Sequence, residues 1–122
     1  MILGIGIDAV DVPEVARRLE RGAMLTAFSD RERAHADSLP EQRAEILAAR
    51  WAAKEAFGKA LGTGLRTEWP LDQIEVVHDD AGRPHIELGP ALKGLLVPGA
   101  SIHCSLSHTR ATAVACLVIE KQ

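Results

Sequence analysis

The chain has 122 residues, 47% of them apolar and 25% charged, enough for the core of one soluble domain over residues 1–122. No apolar run approaches the roughly 18 to 20 residues that cross a bilayer, and the N-terminus lacks the basic flank and cleavage site of a secretory signal, so a cytoplasmic protein is expected. A net charge of -3 argues against nucleic acid as a partner, because phosphate-backbone affinity needs a broad basic face.

Residues 2–8, Ile-Leu-Gly-Ile-Gly-Ile-Asp, alternate as a strand, with Leu3, Ile5 and Ile7 on one face and Gly4, Gly6 and Asp8 on the other. The apolar face is expected to be core, and the glycine face to leave room for a ligand. Asp11-Val-Pro-Glu14 reads as a capping box opening a helix over about 11–21, stopped at Gly22. Ser29-Asp-Arg-Glu32 and Ser38-Leu-Pro-Glu41 repeat that start signal, predicting a short helix and then a long one from Pro40 to Leu61, ended by Gly62-Thr-Gly64.

Beyond Trp69-Pro70 the period changes to two. Ile74 and Val76, the turn Asp79-Asp-Ala-Gly82, and Ile86 and Leu88 predict a hairpin. Residues 101–107 alternate, 113–119 are continuously apolar as in a buried central strand, and Ser107-His-Thr-Arg110 makes the bend between them. This order predicts an α+β fold, a mainly antiparallel sheet packed on a long central helix. Cys104 and Cys116 fall in these strands without CxxC spacing and read as reduced core thiols.

On the long helix, Arg50, Lys54, Gly58, Trp51, Glu55 and Lys59 fall within one half of the cylinder, and Ala52, Ala53, Ala56 and Phe57 on the other. Three cations around one carboxylate, ending at a glycine-flanked loop, suit a phosphate-rich ligand; the same spacing also fits a solvated, salt-bridged face. Gly58 costs roughly 1 kcal/mol against alanine in mid-helix, which points to backbone or ligand approaching closely there. Asp8 and Glu55, with ligand phosphates, fit magnesium, a hard cation that keeps several waters; manganese is the alternative ion. Spacing alone does not bring the two acids together. His108 sits in the polar segment Ser105–Arg110 at the last bend, while His35, His78, His85 and His103 show no ligand spacing and read as structural.

Three motifs together resemble the small, trimeric class of 4'-phosphopantetheinyl transferases, the holo-[acyl-carrier-protein] synthases. They are Gly4-Ile-Gly-Ile-Asp8, the specific block Arg50-Trp-Ala-Ala-Lys-Glu-Ala-Phe-Gly-Lys-Ala-Leu-Gly-Thr-Gly64, and Ser105-Leu-Ser-His-Thr-Arg110, with the turn Asp80-Ala-Gly-Arg-Pro84 between the last two. The resemblance implies Mg2+-dependent transfer of the phosphopantetheine arm of coenzyme A to a serine of apo acyl carrier protein, releasing adenosine 3',5'-bisphosphate. It implies a role in fatty-acid biosynthesis and a homotrimer with interfacial active sites. By the same resemblance Asp8 and Glu55 hold the metal and Lys59 contacts the pyrophosphate. Arg50, Lys54, His108 and Thr109 then line the nucleotide phosphates, Gly82, Arg83 and Pro84 approach the adenine, and Gly58 and Gly62 belong to the coenzyme A site.

The general base is either Glu55 or a metal-held water near Asp8. Arg17, Arg18 and Arg21 are candidates for docking the acidic carrier, although Pro13-Glu14 departs from the basic residue that relatives carry there, and Gly58 replaces their common serine. The alternatives are a non-catalytic coenzyme A-binding scaffold and a transferase serving polyketide or peptide synthases. Retained Asp8, Glu55 and Lys59 speak against the first, and the short chain against the second.

Overall fold

The computed structural model describes all residues, Met1–Gln122. Strand β1 (Ile2–Asp11) leads into helix α1 (Val12–Glu20), followed by α2 (Asp30–Asp37) and the long α3 (Arg43–Leu61). Then come the hairpin β2 (Ile74–His78) and β3 (Pro84–Leu88), and a second hairpin β4 (Ala100–His108) and β5 (Thr112–Lys121). All strand pairs are antiparallel, in a three-stranded sheet ordered β1-β5-β4 and a separate β2-β3 ribbon, so the α+β expectation holds with its sheet in two parts. β5 is the central strand, as its apolar run predicts. No helix is long and apolar enough to cross a membrane.

Local signals explain most boundaries. Asp11 caps α1 by accepting the Glu14 amide at 3.1 Å, but the Glu14 carboxylate turns to Arg17 at 2.6 Å, so the box is only half made. Ser29 and Glu32 form a complete capping box at α2. Pro40–Gln42 is a 3-10 turn rather than the start of α3, because Ser38 gives its hydroxyl to the His35 carbonyl at 2.6 Å and caps nothing downstream. Gly62 ends α3 in the left-handed region at φ 84°.

The expectation for β1 is reversed. Gly4, Gly6 and Asp8 face α3, while Ile5 and Ile7 are 60% and 64% exposed on the other side. A Cβ on Gly4 would lie 1.8 Å from the Ala60 carbonyl oxygen, and one on Gly6 would lie 1.9 Å from that of Ala56. The glycines therefore admit a helix, not a ligand: α3 rests on bare β1 backbone, and its small Ala56 and Ala60 make the approach closer still. Two apolar clusters share α3. One joins Ala52, Ala56, Phe57 and Ile74 to Leu117 and Ile119 of β5; the other joins Leu47 and Ala48 to Val12, Val15, Leu19 and Phe28.

Candidate active site

Positions along α3 decide what can meet. At 3.6 residues per turn, Glu55 lies about 140° and Lys59 about 180° around the axis from Arg50. The face that seemed continuous on the sequence is split: Glu55 and Lys59 turn toward β1, and Arg50 turns toward the β2-β3 ribbon. The cations do not gather around one carboxylate.

On the β1 side, Lys59 Nζ donates to Asp8 Oδ1 at 2.9 Å and to the Ile7 carbonyl at 3.0 Å. The Asp8 side chain is only 15% exposed. Glu55 is half-buried, and its carboxyl is pushed above the ordinary value, first by burial and then by the charge of Asp8; Lys59 and Arg18 act weakly the other way. The two acids, 47 positions apart in sequence, therefore share one electrostatic neighbourhood. Two hard oxygen donors that repel each other, with one lysine beside them, fit a divalent cation that keeps water ligands.

On the other side of α3 is a cleft of about 320 Å³ whose walls include Arg50, His35, His78, Gly82, Pro84 and His108, over apolar Ile46, Ala49 and Leu106. Arg50 is 3% exposed; its Nη1 donates to the Glu32 carbonyl at 3.3 Å and its Nη2 lies 3.2 Å from His78 Nδ1. His108 Nδ1 lies 3.3 Å from Glu45 Oε2. The cleft thus unites four of the predicted ligand residues, Arg50, Gly82, Pro84 and His108, from three separate segments. Gly82 turns the β2-β3 hairpin at φ 85°. Exposed Arg83 pairs with Asp79 at 3.1 Å on that turn. Thr109 follows His108, and its hydroxyl accepts the Ala111 and Thr112 amides at 3.2 and 3.1 Å, fixing the last bend.

Two predicted ligand residues are placed otherwise. Lys54 is fully buried and does not line the cleft: Nζ donates to Glu32 Oε1 at 2.8 Å, to the Leu71 carbonyl at 3.0 Å and to the Ile74 carbonyl, which uses all three of its protons. Burial pulls its pKa below the usual lysine range against the opposing pull of Glu32. Glu32 completes the clamp by accepting the Ser29 amide at 3.0 Å and the Val76 amide at 3.2 Å, tying α2, α3 and β2 together. Gly58 faces backbone, since a Cβ there would lie 2.6 Å from Gly64 C and Leu65 N. Its absent side chain admits the loop after α3 rather than a ligand. Gly62 serves that same loop as its left-handed cap.

His35 and His78, read from sequence as structural, stack at 5.8 Å in the cleft wall. Their placement was hidden because α2 and β2 meet only in three dimensions, although His78 directly precedes the turn assigned to the ligand.

A family model described as the 4'-phosphopantetheinyl transferase superfamily matches residues 4–117. A holo-[acyl-carrier-protein] synthase of Treponema denticola is 47% identical over 123 residues, covering 98% of this chain and 99% of its own. One from Geobacillus kaustophilus is 42% identical, over 99% of this chain and 91% of its own. Among solved structures, a Chronobacterium ammoniagenes ACPS-CoA complex superposes with a TM-score of 0.88 at 32% identity, over 98% of this chain and 97% of that one. The Bacillus anthracis holo-(acyl-carrier-protein) synthase in complex with CoA (3',5'-ADP) gives 0.84 at 35% identity, over 100% and 99%.

Proposed function

Because the chain belongs to the 4'-phosphopantetheinyl transferase superfamily and is a holo-[acyl-carrier-protein] synthase-type enzyme, we propose that it moves the phosphopantetheine arm of coenzyme A to apo acyl carrier protein with a divalent metal, releasing adenosine 3',5'-bisphosphate. The supporting observation is the ion pair of Lys59 with Asp8, in an electrostatic neighbourhood shared with Glu55, whose carboxyl is raised in pKa first by burial and then by the charge of Asp8.

In this reaction the serine Oγ of the carrier bonds to the β-phosphorus of coenzyme A, and the bond from that phosphorus to the bridging oxygen breaks. The electron pair leaves with the 5'-phosphate of adenosine 3',5'-bisphosphate. Asp8 and Glu55 would hold Mg2+, or Mn2+, which supplies charge neutralisation to the diphosphate when bound. Lys59 leaves Asp8 to meet the developing charge on the phosphate oxygens, and its half-exposed amine has the reach to do so. The serine proton goes either to a Glu55 carboxylate oxygen or to a water held near Asp8. Arg50, His108 and Thr109 orient the nucleotide phosphates, with Gly82, Arg83 and Pro84 beside the adenine, and Gly62 shapes the loop near Lys59. Lys54 and Gly58 act in packing.

The acids and the cleft lie on different sides of α3, so each protomer carries two half-sites. This split supports a homotrimer in which the acids of one subunit face the cleft of its neighbour. The exposed Ile2, Ile5 and Ile7 stripe on edge strand β1, with Val114, Cys116 and Val118 on the same sheet face, is the apolar surface available for that contact. We take residues 1–122 as one transferase domain, since both apolar clusters share α3. A cytoplasmic place in fatty-acid biosynthesis follows from the carrier substrate.

Incubation with apo carrier, coenzyme A and Mg2+ should add the mass of the arm to the carrier. Lys59→Ala should weaken coenzyme A binding. No mass gain on any fatty-acid carrier tested would refute the assignment.

A further inference from the structure

The contact between Arg50 and His78 exists in only one protonation state. A guanidinium has donors and no acceptor, so the 3.2 Å approach of Arg50 Nη2 to His78 Nδ1 is a hydrogen bond only while Nδ1 is bare. Once protonated there, the imidazole and the guanidinium present N–H to N–H. The bond is lost, and both groups become donors at the wall of the same cleft. Arg50 stays anchored meanwhile, because Nη1 holds the Glu32 carbonyl independently at 3.3 Å.

The surroundings set which state prevails. His78 is faced by Arg50 from α3, by the stacked ring of His35 from α2, by Asp79 in the turn after β2 and by His85 from β3. Across the cleft stands His108, with Glu45 beside it. Burial, Arg50 and His35 hold His78 below the ordinary histidine pKa, and burial and Arg50 do the same to His35. Asp79 offers limited relief, since it is engaged by the ring of His85 and by Arg83. The free cleft therefore keeps neutral imidazoles beside a permanent cation. An anion placed against Arg50 reverses that balance, because its oxygens can accept from His78 as well.

Resting on the assignment of this cleft to the nucleotide of coenzyme A, we propose that His78 and Arg50 form a proton-linked phosphate subsite: a ligand phosphate draws a proton onto His78, which releases Arg50 Nη2 so that both donate to it. Affinity for a nucleoside phosphate then strengthens as pH falls between the bound and free midpoints of His78. Each unit by which binding raises that midpoint gives an about tenfold gain in affinity across the window.

The test follows the imidazole NMR signals of the full-length protein through a pH titration, free and saturated with adenosine 3',5'-bisphosphate. Calorimetry of the same probe is run in parallel on wild type and His78→Gln, which keeps an acceptor for Arg50 but cannot titrate. The expected result is a free His78 midpoint below about 6.5 that rises by about one unit or more with the probe. Wild type gains affinity relative to His78→Gln as pH falls from above the bound midpoint to below the free one, by about tenfold per unit of midpoint shift. The probe's own phosphate ionisation cancels in that ratio. A bound probe that leaves the His78 midpoint unmoved, or equal pH profiles for the two proteins, overturns the subsite while the nucleotide assignment stands. A probe that perturbs no cleft residue and does not compete with coenzyme A overturns both.

Discussion

Lys54→Met separates packing from ligand binding at the residue where sequence and structure diverge most. Lysine and methionine have similar length, so the methylene path is kept and the charge removed. What remains is a Glu32 carboxylate fully buried, with the Ser29 and Val76 amides as donors, and two carbonyls, of Leu71 and Ile74, without their partner. Breaking one side of a buried pair costs about 3–5 kcal/mol, a large part of the roughly 5–15 kcal/mol that holds a domain folded. For a chain of this length that is a fall in Tm of about 10–20 °C, read by circular dichroism at matched protein concentration. The double variant Glu32→Leu/Lys54→Met should recover part of the loss, because apolar replacement of both partners removes the uncompensated charge. A Tm within about 3 °C of wild type, or lost coenzyme A affinity with unchanged stability, would refute the buried clamp and restore Lys54 to the ligand.

Gly6→Ala puts a methyl where the Ala56 carbonyl stands, so β1 must lift from α3; a loss of about 3 kcal/mol or more is expected in urea titration, and wild-type stability would deny the contact. His35 and His78 have folded-state pKa values below the unfolded value of about 6.5, so the unfolded chain binds protons first and stability falls as pH drops through that value. Urea midpoints at about pH 7 and about pH 5.5 should show this loss, reduced in His78→Gln; a wild type more stable at the lower pH contradicts it. Ile5→Glu with Ile7→Glu should yield monomers in sedimentation and suppress transfer together, because the half-sites need a neighbour; an active monomer would exclude the interfacial site.

Periodicity carried the elements but not their orientation. The alternation of residues 2–8 identified β1 and the apolar run 113–119 identified central β5, since a two-residue period is a property of the backbone itself. Which side of β1 is core depends on what lies against it. The rule that apolar side chains point inward failed because Gly4 and Gly6 bring backbone to backbone, an arrangement with no hydrophobic signature. The same blindness affected α3. A helical projection groups Arg50, Lys54 and Lys59 on one half, yet the half is wide enough for its edges to face opposite layers. Glu32 was legible as a cap of α2 but not as the counter-ion of Lys54, since pairing across 22 residues leaves no local trace. The link between Asp8 and Glu55 came from the family resemblance rather than from spacing.

Titration of Mn2+, observed by electron paramagnetic resonance with coenzyme A present, tests the convergence of Asp8 and Glu55 most directly. One ion should bind per subunit in wild type, and Asp8→Asn and Glu55→Gln should each abolish it, with transfer lost in Glu55→Gln while the protein stays folded. Wild-type Mn2+ affinity in either variant would contradict a shared cation.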